Sequence, residues 1–171
     1  AEYSSDYRKK LAFFTNIGAW KASQYNKSSQ YFTLAPTYRI NDKLALTYQF
    51  ISSFLQNAIG YVDKNNTNDS IFFGKRDISN IENIAQVKYS LSNNSLLNLR
   101  LRHYWSNVDH HAYYLLQHDG TFQSTIREAN YNTNVSALNA DISYTWRFLP
   151  GSELSLVWKR YFYLLSKNLL K

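Results

Sequence analysis

The chain contains no cysteine and no methionine, and only five glycines and two prolines among its 171 residues. Without cysteine it can form no disulfide, thiol nucleophile or thiolate metal site. Without methionine its first residue, Ala1, is not an initiator product. The expectation is that a leader has been removed or that this is a piece of something longer. No apolar run approaches the ~20 residues of a membrane-crossing helix, and the mean hydropathy is mildly hydrophilic. The length suits one domain with a sizeable core. A soluble domain would satisfy all of this, but it does not account for 15 Tyr, 10 Phe and 4 Trp.

A period of two accounts for them better. Between Ser136 and Phe148 the even positions read Ser136, Leu138, Ala140, Ile142, Tyr144, Trp146 and Phe148. The odd positions read Ala137, Asn139, Asp141, Ser143, Thr145 and Arg147. After Pro150-Gly151 the alternation resumes, with Leu154, Leu156 and Trp158 on one side and Ser155, Val157 and Lys159 on the other. Alternation of this kind makes a β-strand with one apolar and one polar face. A strand between lipid and a wet lumen reads this way, and lumen residues dilute the lipid-facing ones in the average.

Three short turns punctuate the chain: Asn41-Asp42, Asn93-Asn94 and Pro150-Gly151. Asn and Asp tolerate left-handed backbone, and Pro-Gly is a strong turn pair. The segments between them are long and polar: Gln24–Gln30, Asp63–Ser70 and Gln117–Asn132. Short turns at one end and long loops at the other are the habit of outer-membrane barrels. Seven strands are expected: Leu11–Trp20, Tyr31–Ile40, Leu44–Phe54, Ile81–Leu91, Leu96–Ser106, Asn134–Phe148 and Glu153–Tyr163. Pro36 removes a ladder donor in mid-strand and predicts a bulge or local break. Tyr38, Tyr48, Tyr89, Trp146, Phe148 and Trp158 share the apolar parity near the short turns. They are expected to form an aromatic girdle. The opposite parity carries Arg39, Glu82, Lys88, Arg100, Arg102, Asp141, Arg147 and Lys159. These would line the lumen as an ion-pair network or an anion-selective surface.

An odd strand count leaves the last strand outside, and the terminal Asn168-Leu169-Leu170-Lys171 lacks the aromatic of an assembly signal. The expected fold class is therefore all-β: a transmembrane, antiparallel, up-and-down β-barrel, present as a segment of a larger one. Its edges would need further strands.

Several stretches resemble a known family: Phe73-Gly74-Lys75-Arg76-Asp77, Ile81-Glu82-Asn83, Leu101-Arg102-His103-Tyr104-Trp105, Phe148-Leu149-Pro150-Gly151-Ser152 and Val157-Trp158-Lys159. Together they are similar to the C-terminal outer-membrane β-barrel region of a Gram-negative family of unassigned function. Its members carry an N-terminal family-9-like carbohydrate-binding domain. The resemblance runs from about Tyr38 to Lys159 and implies an outer-membrane barrel with a link to glycan binding or uptake. The binding domain has no counterpart here, so no sugar-binding residue carries over. After Lys159 the family's final strands are replaced by Arg160–Lys171. The family supplies no established catalytic residues.

Candidate chemistry is sparse. His103, His110, His111 and His118 fall in one window with Asp109 and Asp119. On an extended strand His110 and His111 point to opposite faces, and a metal needs three or four convergent ligands. A polar extracellular extension is the better reading. Ser106, His103 and Asp141 could make a hydrolase wall site, but parity separates His103 from Ser106 and no nucleophile motif is present. Gly74, Lys75, Arg76 and Asp77 read as the corner of a loop, with Gly permitting a bulge and the charges pairing. Their glycine spacing fits no phosphate loop. The net charge of +7 is scattered apart from Arg8-Lys9-Lys10, which argues against nucleic acid and for a cationic lumen or a surface facing anionic lipid.

The expectation is thus a non-enzymatic channel wall, membrane anchor or subunit of an envelope assembly in a Gram-negative outer membrane. No cofactor is implied. Partners would be membrane lipid and lipopolysaccharide, additional barrel strands and other outer-membrane proteins. The alternatives are an outer-membrane hydrolase with a wall or loop site, and a soluble β-barrel that binds a lipid-like ligand.

Overall fold

A computed structural model describes residues 1–65, 69–127 and 129–167. The described residues form one antiparallel sheet of nine strands. Seven long strands make up most of it: β2 (Leu11–Lys21), β3 (Ser28–Asn41), β4 (Leu44–Lys64), β5 (Ile71–Ser92), β6 (Ser95–Leu116), β8 (Thr133–Leu149) and β9 (Ser152–Lys167). Two short strands complete it. β1 (Glu2–Ser4) pairs with β2, and β7 (Phe122–Thr125) pairs with the far end of β6. Each long strand otherwise pairs with the next in an up-and-down meander. β1 and β9 are the two edges and do not meet, so the sheet is open. Among the described residues β2 does not pair with β9, and the sheet does not close into a barrel.

All three short turns join neighbouring strands, with the first centred on Asp42-Lys43. There the Asn41 side chain accepts from the backbone N–H groups of Lys43 and Leu44, each at 2.9 Å. Gly151 takes φ +79°, the left-handed conformation that its lack of a Cβ allows.

The ladder keeps the predicted parity in phase across the sheet. One row runs Leu11–Tyr38–Leu46–Val87–Leu99–Ile142–Trp158. The next runs Phe13–Pro36, then Tyr48–Ala85–Leu101–Ala140–Arg160. Residues directly opposite in a ladder share a face, so one face of the sheet is apolar and the other polar. No layer packs on either face among the described residues. Among the described residues only Ala12, Ala58, Gly74 and Ser106 are buried, and no large side chain is fully enclosed.

Two expectations change and one holds in part. Pro36 does not end its strand or shift its register, but the ladder to β4 lapses locally at Ala35 and Pro36, between Leu34↔Phe50 and Thr37↔Thr47. The register shift of β3 falls at Arg39/Asn41 instead. Gly74, Lys75, Arg76 and Asp77 are not a loop corner but part of β5. Their neighbourhood does carry a bulge, on β6, where His111 is skipped between Lys75↔Ala112 and Arg76↔His110. Finally, β4, β5 and β6 are 21 to 22 residues long, about twice the sequence-based lengths.

The extensions escaped the periodicity because bulges flip it. Asn57 adopts φ 55° as the register against β5 shifts between Leu55 and Ala58. Its N–H turns to the Asp77 carboxylate at 2.8 Å. A second shift falls between Tyr61 and Asp63. Past each bulge the outward residues change parity, and a fixed period of two is lost.

The bulge at Asn57 gives a test. Left-handed backbone costs a side chain branched at Cβ about 1–2 kcal/mol. Asn57→Val should lose that much stability in equilibrium unfolding, and Asn57→Gly should lose less.

Candidate functional site

All eight predicted lumen residues lie on the polar face, because each falls on the parity of the polar ladder rows. The structure connects them unevenly. Arg102 reaches Glu82 at 2.5 Å, one step diagonally across β5 and β6. Arg147 pairs with Glu153 at 3.2 Å beside the Pro150-Gly151 turn. Arg39 donates to the carbonyls of Tyr7 and Lys9, tying down the segment before β2. Arg100, Asp141 and Lys159 stand in one row across β6, β8 and β9, without a salt bridge among the described residues. Lys88 stands opposite Ala45 and Asn98. Neutral hydrogen bonds fill much of the remainder: Gln86 to Asn98 at 2.8 Å, Tyr104 to Asn80 at 3.0 Å, and Thr37 with Thr47 at 3.3 Å. The partnership of Arg147 with Glu153 depends on the register shift between Arg147 and Leu149, since an unshifted two-residue turn would set Arg147 opposite Leu154.

The apolar face is dressed differently. The girdle candidates Tyr38, Tyr48, Tyr89, Trp146, Phe148 and Trp158 are all exposed on it. Trp146 faces Leu154 near the turn, while Trp158 lies further up, opposite Ile142. The polar atoms on this face are paired sideways. Tyr48 donates to Asn83 at 2.6 Å, His103 meets Ser136 at 3.1 Å, and Trp105 donates to Asn134 at 3.0 Å. His103 is thus separated by the sheet itself from Ser106 and Asp141, and the three candidate hydrolase groups are not brought together.

On β9 the two faces stop differing. Val157, Tyr161, Tyr163 and Leu165 take the polar parity yet are apolar or aromatic. Tyr161 and Tyr163 stack at 6.1 Å. On the apolar parity Arg160 lies over the Phe162 ring at 5.3 Å.

A cluster that the sequence reading did not assemble lies on the polar face of the long extensions, beyond the apolar rows. Gly60 and Gly74 stand opposite each other on β4 and β5. A Cβ on Gly60 would lie 2.3 Å from Arg76 Nη2, and one on Gly74 would lie 2.5 Å from His110 Cδ2. The paired glycines leave a hollow across which Arg76 and His110 lie, and these two are themselves ladder partners. His110 stacks on Tyr113 at 5.7 Å, and Tyr113 meets Tyr131 edge-on at 5.8 Å. Arg127 bonds Asp63 at 2.9 Å and covers the Phe72 ring at 4.0 Å, and the Tyr131 hydroxyl donates to the same carboxylate at 2.8 Å. This cluster carries the segment after β7 back onto β4. Burial, reinforced by the hydrogen bond to Asp63, raises the Tyr131 hydroxyl above its ordinary pKa. Burial and the nearby Arg76 guanidinium hold the His110 ring below the ordinary imidazole range.

Filling the hollow should be costly. Gly74→Ala forces His110 and Val62 aside, and overpacking of this kind costs about 1–3 kcal/mol. Chemical denaturation should show that loss, whereas a Ser90→Ala change at the opposite end of β5 should leave stability close to that of the parent chain.

No curated protein and no solved structure matches this chain. A family model does match, over residues 1–169, and its description is a domain of unknown function, DUF5916. With nearly its whole length covered, the chain belongs to that uncharacterised family.

Proposed function

We propose that this chain is part of the wall of an outer-membrane β-barrel and serves as channel wall, anchor or envelope-assembly subunit rather than as an enzyme. The observation that carries this reading is the single-layer sheet whose apolar face is exposed from β2 to β9. Ile17, Leu34, Leu46, Leu101, Leu138, Ile142, Leu156 and Trp158 are all exposed on it, Leu156 at 60%. A soluble domain covers such a face with a second layer, and uncovered apolar patches of this extent mark interaction with a membrane or a partner. Lipid would cover it here.

Other features fit. Several polar side chains on the apolar face are paired with one another, as hydrocarbon surroundings favour. The short turns lie at one end of the sheet, and the long segments and strand extensions at the other. About 9–11 residues of tilted strand suffice to cross a bilayer, so the extensions of β4, β5 and β6 would stand above it. The edges β1 and β9 would pair with further strands, of the same protein or another. Unpaired backbone groups in lipid cost several kcal/mol each. The apolar character of β9 on both faces suits a strand packed on by such neighbours. Lipopolysaccharide would meet the end of the sheet that carries the extensions of β4, β5 and β6. Any link to glycan uptake rests on the family resemblance alone.

The face assignment has a direct test. Ile142→Arg places a charge on the proposed lipid side and should cost about 2–4 kcal/mol in folding into lipid vesicles, if the site lies near the bilayer centre. Ser143→Arg, on the opposite face, should be tolerated. Equal effects at the two positions would contradict the reading.

A further inference from the structure

The glycine-paired hollow on the polar face opens onto a cavity of about 310 Å³, within the size range of small-ligand sites. Its walls include Tyr61, Val62, Arg76, Val108, His110 and Tyr131. Arg76 Nε, both His110 ring nitrogens and Arg127 Nη1 are buried without a hydrogen-bond partner. Buried polar groups ordinarily have partners, and leaving one unpaired costs about 1–3 kcal/mol. The acids nearby are otherwise engaged. Asp63 is held by Arg127 and Tyr131, and Asp77 by His111 at 3.0 Å and by the Asn57 N–H. Asp109 accepts from Asn107 at 2.5 Å. Among the described residues, therefore, Arg76 brings a positive charge that no carboxylate answers.

We propose that this cavity binds the oxyanion group of a small organic solute, a carboxylate or a phosphate, with Arg76 supplying the charge and His110 a hydrogen-bonding edge. The apolar and aromatic walls formed by Tyr61, Val62, Val108 and Tyr131 would hold the solute's body, and a guanidinium fork matches either oxyanion. This inference concerns the polar face alone and stands whether or not lipid covers the other.

Calorimetric titration of the native-length protein in detergent with sodium D-glucuronate, and separately with inorganic phosphate, tests it. Saturable binding of either anion is expected, and which one binds identifies the oxyanion. Arg76→Gln should weaken binding at least about tenfold, and Lys43→Gln, in a distant turn, should not. Should Arg76→Gln fail to fold, the wild-type protein supplies a second readout. The apparent pKa of the His110 ring, followed by NMR, should rise when the anion is bound, because a negative neighbour favours the imidazolium. No saturable binding of either anion, equal binding by the Arg76→Gln protein, or an unmoved His110 titration would overturn the proposal.

Discussion

Everything in this structure depends on the register of the antiparallel ladder. A strand alternates its side chains with a period of two, so a slip of one residue exchanges the faces entirely. Across the seven long strands no such slip occurs in the rows from Leu99 to Trp105, and from β2 to β8 the apolar residues of these rows fall mainly on one side. With no second layer among the described residues, that coherence is all that separates an apolar surface from a polar one. Backbone hydrogen bonding holds the sheet together, and the ladder pattern decides what each face can meet.

The same ladder explains where the chain becomes irregular. At Asn57, between Tyr61 and Asp63, and at His111, an extra residue enters one strand. These irregularities lie in the extensions, past the part of the sheet where the faces must not mix. There the register is free to serve local geometry. The bulges and the Gly60–Gly74 pair let Arg76, His110 and the Asp63–Arg127–Tyr131 cluster come together on the polar side. The rigid rows below and the adaptable cluster above are two uses of one sheet.

Much of the fold was legible in the sequence. Strict alternation gave β8 and the first half of β9 directly, and Asn41-Asp42, Asn93-Asn94 and Pro150-Gly151 located the hairpins. The missed parts have physical causes. Bulges reverse parity, so the outer halves of β4, β5 and β6 looked like loops, and the Gly74–Asp77 motif was taken for a corner. Pro36 interrupts the ladder to β4 locally without ending β3. β1 and β7 are too short to show a period. The eight charged residues read as one set do share one face of the sheet, since parity is a local property. The Arg76–His110 cluster was not assembled, because its members are brought together across three strands and a returning segment that only the bulged registers define. The family whose model matches residues 1–169 has a description that assigns no function, so it adds nothing to the barrel and glycan link that the resemblance implied.

The central claim is that the two faces of this sheet meet different media. Site-directed spin labels placed one at a time at residues 138 to 147 of the native-length protein in lipid vesicles would test it most directly. The account predicts that accessibility to oxygen, which concentrates in hydrocarbon, peaks at Leu138, Ala140, Ile142 and Tyr144. Accessibility to a water-soluble nickel complex should peak at Asn139, Asp141, Ser143 and Thr145, in opposite phase. Two accessibilities that rise and fall together along the strand would contradict it.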